Sequence, residues 1–131
     1  MATVFTEGVR NAEFIISEAN HTRSREEVTV TVGIGAVLRA GTILGALTSG
    51  GKYIARVQGA GDGSQNAKGI LYATQDNSQG AAPVDVQATI IARDAEVVGE
   101  QIDANDGVDA TVRAELLALG IIVRGSIGNV A

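Results

Sequence analysis

The 131-residue chain has no cysteine, no tryptophan, one histidine and one proline. Without thiols there are no disulfides and no thiolate chemistry, and the redox compartment leaves no mark on the sequence. A single histidine, His21, cannot by itself furnish the nitrogen and sulfur ligands a zinc site ordinarily uses. A Ser-His-Asp arrangement would depend on that same residue, and the chain has no Gly-x-Ser-x-Gly elbow. His21 lies between Asn20 and Thr22 and reads as a solvated side chain. Basic residues are outnumbered, 10 Lys and Arg against 15 Asp and Glu, for a net charge of −5. A nucleic-acid binder needs a basic footprint, so no nucleic-acid partner is expected. No apolar run approaches the ~20 residues of a membrane span, and Met1-Ala2-Thr3 opens no basic and apolar leader. No membrane partner is expected, and synthesis in the cytoplasm is the plain expectation.

Motifs for bound phosphate or metal are also missing. Gly33-Ile34-Gly35 resembles the start of a dinucleotide loop, but Leu38 stands where the third glycine belongs and no helix is expected to follow. The loop from Gly59 to Ser64 has no Walker lysine in register, Lys68 coming too late. In Asp103-Ala104-Asn105-Asp106-Gly107 a calcium loop would need glycine where Val108 stands and glutamate where Ala114 stands. Helix capping accounts for these residues better. No cofactor, no metal and no catalytic constellation is expected, so the chain does not read as an enzyme.

Aromatic residues are scarce, and both phenylalanines, Phe5 and Phe14, fall within the first fourteen positions. Large rings normally serve a core, where each buries much area. Here they sit in a charged leader with Val4, Glu13, Ile15 and Ile16 nearby. The expectation is an extended arm over residues 1–27, whose apolar residues anchor it to a partner by adding a strand to an exposed sheet edge. The remainder, residues 28–131, reads as a single β-rich domain with 17 glycines in the whole chain to serve its turns.

Val28-Thr29-Val30-Thr31-Val32 alternates β-branched apolar and polar residues, the period of a half-buried strand. Further strands are expected at 42–45, 52–57, 69–73 and, starting after Pro83, at 84–91, with a continuation near 93–98 and a last strand at 121–124. Turns fall at Gly41, at Gly51 before Lys52, at Asp62-Gly63, and at Gly120, which stops one helix expected over about 107–119. In that helix Val108, Val112, Leu116 and Leu119 share one face, and Asp106 is the expected cap. The fold class is mainly β, α+β at most.

Ordered segments carry a family resemblance. Thr6-Glu7-Gly8, Glu13-Phe14, Ser17-Glu18-Ala19-Asn20, Ser24-Arg25-Glu26 and Val28-Thr29-Val30 come first. Ala40-Gly41-Thr42-Ile43-Leu44-Gly45, Gly51-Lys52-Tyr53, Asp62-Gly63-Ser64-Gln65 and Ala67-Lys68-Gly69-Ile70-Leu71 follow. Ala92-Arg93-Asp94-Ala95-Glu96-Val97 and Leu119-Gly120-Ile121-Ile122-Val123-Arg124 close the series. In this order they resemble the lambda-type head decoration protein D family of tailed bacteriophages; residues 125–131 fall outside the pattern. The resemblance implies a β-clip-like body and a homotrimer seated on the outside of the expanded head at three-fold and quasi-three-fold sites. It implies major capsid protein as the partner, a virion location after synthesis in the host, and stabilisation of the shell against packaged DNA. It also implies an arm that orders by pairing with capsid-protein strands. A different class of function, a small β-barrel carrier or binding module, would need a modifiable lysine at a hairpin tip, and Lys52 is the candidate.

Overall fold

The computed structural model describes residues 12–102 and 110–124. In chain order these hold β1 (Ile15–Glu18), the single-turn α1 (His21–Ser24), β2 (Arg25–Val32), β3 (Val37–Leu38), β4 (Ile43–Ala46) and β5 (Tyr53–Ala55). There follow β6 (Gly69–Leu71), β7 (Gln75–Asp76), β8 (Val84–Ile91), β9 (Ala95–Val98), a 3-10 turn at Gly99–Gln101, α2 (Ala110–Ala118) and β10 (Ile121–Arg124).

The alternation that marks 28–32 as a strand extends back to Arg25. β2 pairs antiparallel with β8 over eight residues, from Arg25↔Ile91 to Val32↔Val84. Val30 and Val32 turn inward and are buried, while Thr29 and Thr31 face Gln87 and Asp85 on the outer surface. β2, β5, β4, β6 and β8 close into a barrel in that order. Pro83 immediately precedes β8, where its missing N–H removes no ladder bond. Closure leaves no free edge in this sheet.

A second layer covers the barrel. β9 lies between β1, antiparallel, and β10, parallel. α2 packs on β10, presenting the buried Val112 and Leu116 with Leu119 packed partly against them. Gly120 ends this helix with φ +81°, its N–H donating to the Leu117 carbonyl at 2.8 Å. The expected helix start, with Asp106 and Val108, and the rejected calcium-like loop lie outside the described residues.

The apolar interior has two centres. Val30, Val32, Leu44, Leu71, Ala88 and Ile90 fill the barrel. Phe14, Ile43, Ile70, Ile91, Val97, Val112, Leu116 and Ile121 fill the space between barrel and second layer. Neighbouring barrel residues thus serve different centres: Ile70 and Ile91 the second, Leu71 and Ile90 the first.

Phe14 corrects the sequence reading. Its side chain is 0% exposed and forms part of the core. The expected boundary at 27/28 falls inside β2, and residues 12–27 belong to the body. The cause is backbone pairing as much as burial: the Ala12 N–H donates to Tyr72 O at 3.1 Å, and the Val98 N–H donates to Phe14 O at 2.9 Å. Phe14 precedes β1 and is fully buried, Ile15 packs partly against the core, and Ile16 is half exposed where the β1–β9 register shifts between Ile15 and Ser17, so three adjacent apolar residues take three different environments that their sequence does not distinguish.

Candidate functional site

The N-terminal segment is fixed to the body by a set of charged side chains around α1. Asn20 caps the turn: its Oδ1 accepts from the Thr22 N–H at 3.0 Å and the Thr22 hydroxyl at 2.7 Å. Glu18, from β1, accepts from the Ser24 hydroxyl at 2.6 Å and forms an ion pair with Arg25. The Arg25 guanidinium also lies over the Tyr72 ring, 4.4 Å from its centroid. Its hydrogen bond with Glu18 pushes the Arg25 pKa further up, so this charge is permanent.

The other half of the latch comes from the turn between β8 and β9. Asp94, at φ +53°, accepts from Arg23 Nε at 3.0 Å, and its backbone carbonyl accepts from the Ala19 N–H at 2.9 Å. Arg93 pairs with Glu26 and donates to the Arg23 carbonyl at 2.6 Å. The Ser24 carbonyl accepts from Ala92 N–H. Three sequence segments, 17–20, 23–26 and 92–96, therefore bind one another. All three stand among the family-like segments of the sequence, where nothing in their order shows that they meet; the available signal is their opposite charges, Glu18 and Asp94 against Arg23, Arg25 and Arg93.

Beside the latch lies an open depression of about 320 Å³ lined by Ser17, Glu18, Ala19, Asp94, Ala95, Glu96, Gly120 and Ile122. Its three carboxylates are already engaged, Glu18 by Arg25, Asp94 by Arg23, and Glu96 by Arg124 Nε at 2.8 Å and the Ser17 hydroxyl at 3.0 Å. Arg124, then Ser17, holds the Glu96 carboxyl below its ordinary pKa. Glu96, held as an anion in this way, is a poor proton carrier near neutral pH. Among the described residues no group of His, Cys, Asp and Glu is arranged to hold a metal. No described helix is long and apolar enough to cross a membrane.

The expected anchor residues separate on this frame. Val4 and Phe5 lie outside the described residues. Glu13 is exposed and Ile15 packs partly against the core. Ile16 is 50% exposed on β1 and presents apolar surface outward; Phe14 has none to offer.

The expected turns sit where the folding needs them. Gly41, at φ +93°, donates its N–H to Leu71 O at 2.8 Å, and a side chain there would run into the Gln101 carbonyl. Gly51 belongs to the β4–β5 hairpin turn. Asp62 accepts from the Ser64 N–H at 3.0 Å and hydroxyl at 2.5 Å, which lowers its pKa, and the Gly63 N–H donates to Gln65 Oε1 at 2.9 Å. This four-residue motif is a self-bonded turn. Lys52 lies next to the hairpin tip; its carbonyl accepts from the Leu47 N–H at 2.8 Å, and its ammonium pairs with Asp85 at 2.6 Å. A carrier lysine must swing free of the body; this one is tied to β8.

The described residues thus form a closed barrel, a charge latch whose groups pair with one another, and apolar side chains that face outward. The chain belongs to the family of the bacteriophage lambda head decoration protein D, whose model matches residues 4–121. It is a phage head decoration protein: a structural component of the virion that binds the capsid. Comparison with individually curated proteins gives no match.

Proposed function

We propose that the chain acts as a homotrimeric cement on the outside of the expanded head, at three-fold and quasi-three-fold sites. It bridges subunits of the major capsid protein and strengthens the shell against packaged DNA. The observation that carries this reading is the family match, which spans the body and reaches back to residue 4. The capsid-binding arm is now the stretch ahead of the described body, residues 1–11, with Val4 and Phe5 as its apolar anchors and Ile16 extending the contact along β1.

Strand addition suits this arm. Main-chain hydrogen bonds supply affinity and alternate side chains supply specificity. Ordering costs about 1–2 kcal/mol of backbone entropy per residue, which a ring burying ~150–250 Å² helps to offset. Three arms on one trimer act together, so a modest single site gives a durable attachment.

The test is deletion of residues 2–11 followed by mixing with expanded, undecorated heads. Binding is expected to fall sharply while the melting temperature of the body stays near that of the full chain. Undiminished decoration would overturn the arm's role, and density away from the three-fold positions in electron micrographs of decorated heads would overturn the placement.

A further inference from the structure

The end of the barrel remote from the latch has a different character. β2 and β8 finish there at the pair Val32↔Val84, and two loops leave from it, Gly33-Ile34-Gly35-Ala36-Val37 and Gly80-Ala81-Ala82-Pro83-Val84. None of these ten residues is charged. Ile34 is 63% exposed, Val84 40% and Val37 37%, three of the seven large hydrophobics exposed among the described residues. Ala81, Ala82 and Pro83 are exposed beside them.

The two loops are one surface because a single buried side chain joins them. The Asn77 amide donates to Val32 O at 3.3 Å, Gly33 O at 2.9 Å and Ala82 O at 3.0 Å. The Asn77 N–H donates to Ala36 O at 2.8 Å, and its carbonyl accepts from the Gly80 N–H at 2.9 Å. An apolar surface held this firmly gives up little conformational entropy on contact. Exposed apolar side chains gathered on neighbouring loops are characteristic of protein contacts.

Its rim has both signs in balance. Lys52 pairs with Asp85, and Arg39 lies close enough to Asp76 to lower that carboxyl's pKa, after the larger effect of Ser78. These four charges sum to zero, so the net −5 of the chain resides elsewhere. Copies of an acidic chain repel one another over most of their surfaces. They approach without that penalty through a charge-free centre with a neutral rim, the anatomy of a protein–protein interface.

We propose that the surface formed by residues 33–37 and 80–84 is where one copy of this chain packs against another. This rests on the homotrimer reading and gives it a location. A ring of three copies is heterologous, so this face meets a different face of its neighbour.

The experiment measures oligomeric state by sedimentation for the full chain and for Ile34→Asp, Val84→Asp and Leu117→Asp. Leu117 is 62% exposed on α2 and serves as the comparison residue. A charge placed in a desolvated contact is expected to weaken self-association roughly 100-fold in the first two variants and leave the third associated. Circular dichroism melts confirm that the variants fold, which the exposure of Ile34 favours, and Ile34→Ser gives a milder second reading of the same position. Full association of folded Ile34→Asp and Val84→Asp overturns the proposal, as does a full chain that decorates heads but never self-associates. A full chain that self-associates through this face but fails to bind heads would sink the capsid reading and leave this one standing.

Discussion

The two ends of the β2–β8 ladder are opposites. At Arg25↔Ile91 the surface is dense with charge, and Arg23, Arg25, Glu26, Arg93 and Asp94 are engaged with one another or with Glu18. At Val32↔Val84 the loops hold no charge and expose isoleucine and valine. The charged end resembles a binding site in sequence, yet its groups are satisfied within the chain. The uncharged end resembles ordinary turns, yet its apolar surface has no internal use. Charge density alone is thus a poor guide to where this protein meets others. What matters is whether the groups are already spent.

Substitutions should separate the two ends. The largest expected effect is beneath the latch: Phe14→Ala removes a fully buried ring and should cost about 3–5 kcal/mol in urea unfolding. A loss under 1 kcal/mol would return Phe14 to the arm. Glu18→Ala leaves Ser24 and Arg25 without their carboxylate and should cost about 1.5–3 kcal/mol, a range set by the partial burial of the pair. Gly120→Ala forces a Cβ to 2.6 Å from Asp94 Oδ1 at φ +81° and should cost about 1–3 kcal/mol.

Acid should affect the charged end through Glu96. Its folded pKa is lowered, mainly by Arg124, so its contribution is present above the ordinary carboxylate pKa and lost as pH falls through the folded value. Unfolding free energy is expected to begin falling below pH about 4, and Glu96→Gln should blunt that fall. The smallest effect is at the other end: Ile34→Ser should change the stability of the monomer by no more than about 0.5 kcal/mol, measured under dissociating conditions. A large loss there would show that the loops carry folding energy and not only contact surface.

Most of the strands and the helix are legible from local signals. Alternation at 28–32, Pro83 before a strand, Gly120 after a helix and the final strand at 121–124 are each written in adjacent residues and appear as expected. The barrel closure was not legible, because the β2–β5 pairing that completes it rests on Val30↔Tyr53 alone and joins residues far apart in sequence. The burial of Phe14 is not legible for a related reason: it lies in a centre that draws on β4, β6, β8, β9, α2 and β10, all well downstream of it in the chain. The family motifs were recognised as segments, but that Glu18, Ser24, Arg25 and Asp94 form one latch requires the fold to bring them together.

β9 has the first strand of the body on one side and the last on the other. Tension applied to residues ahead of Ile15 therefore enters the molecule along β1, parallel to a ladder that joins it to β9 by several bonds at once. Loaded in that direction the bonds share the force and must fail together, whereas a pull across the ladder would open them singly. The Glu18–Arg25 and Arg23–Asp94 pairs lie just behind the ladder and resist the same slip. Seen mechanically, β1 is a splice: in the proposed attachment through residues 1–11 it would carry load into the centre of the body, and its strength would set how much pressure a copy so attached withstands before it peels away.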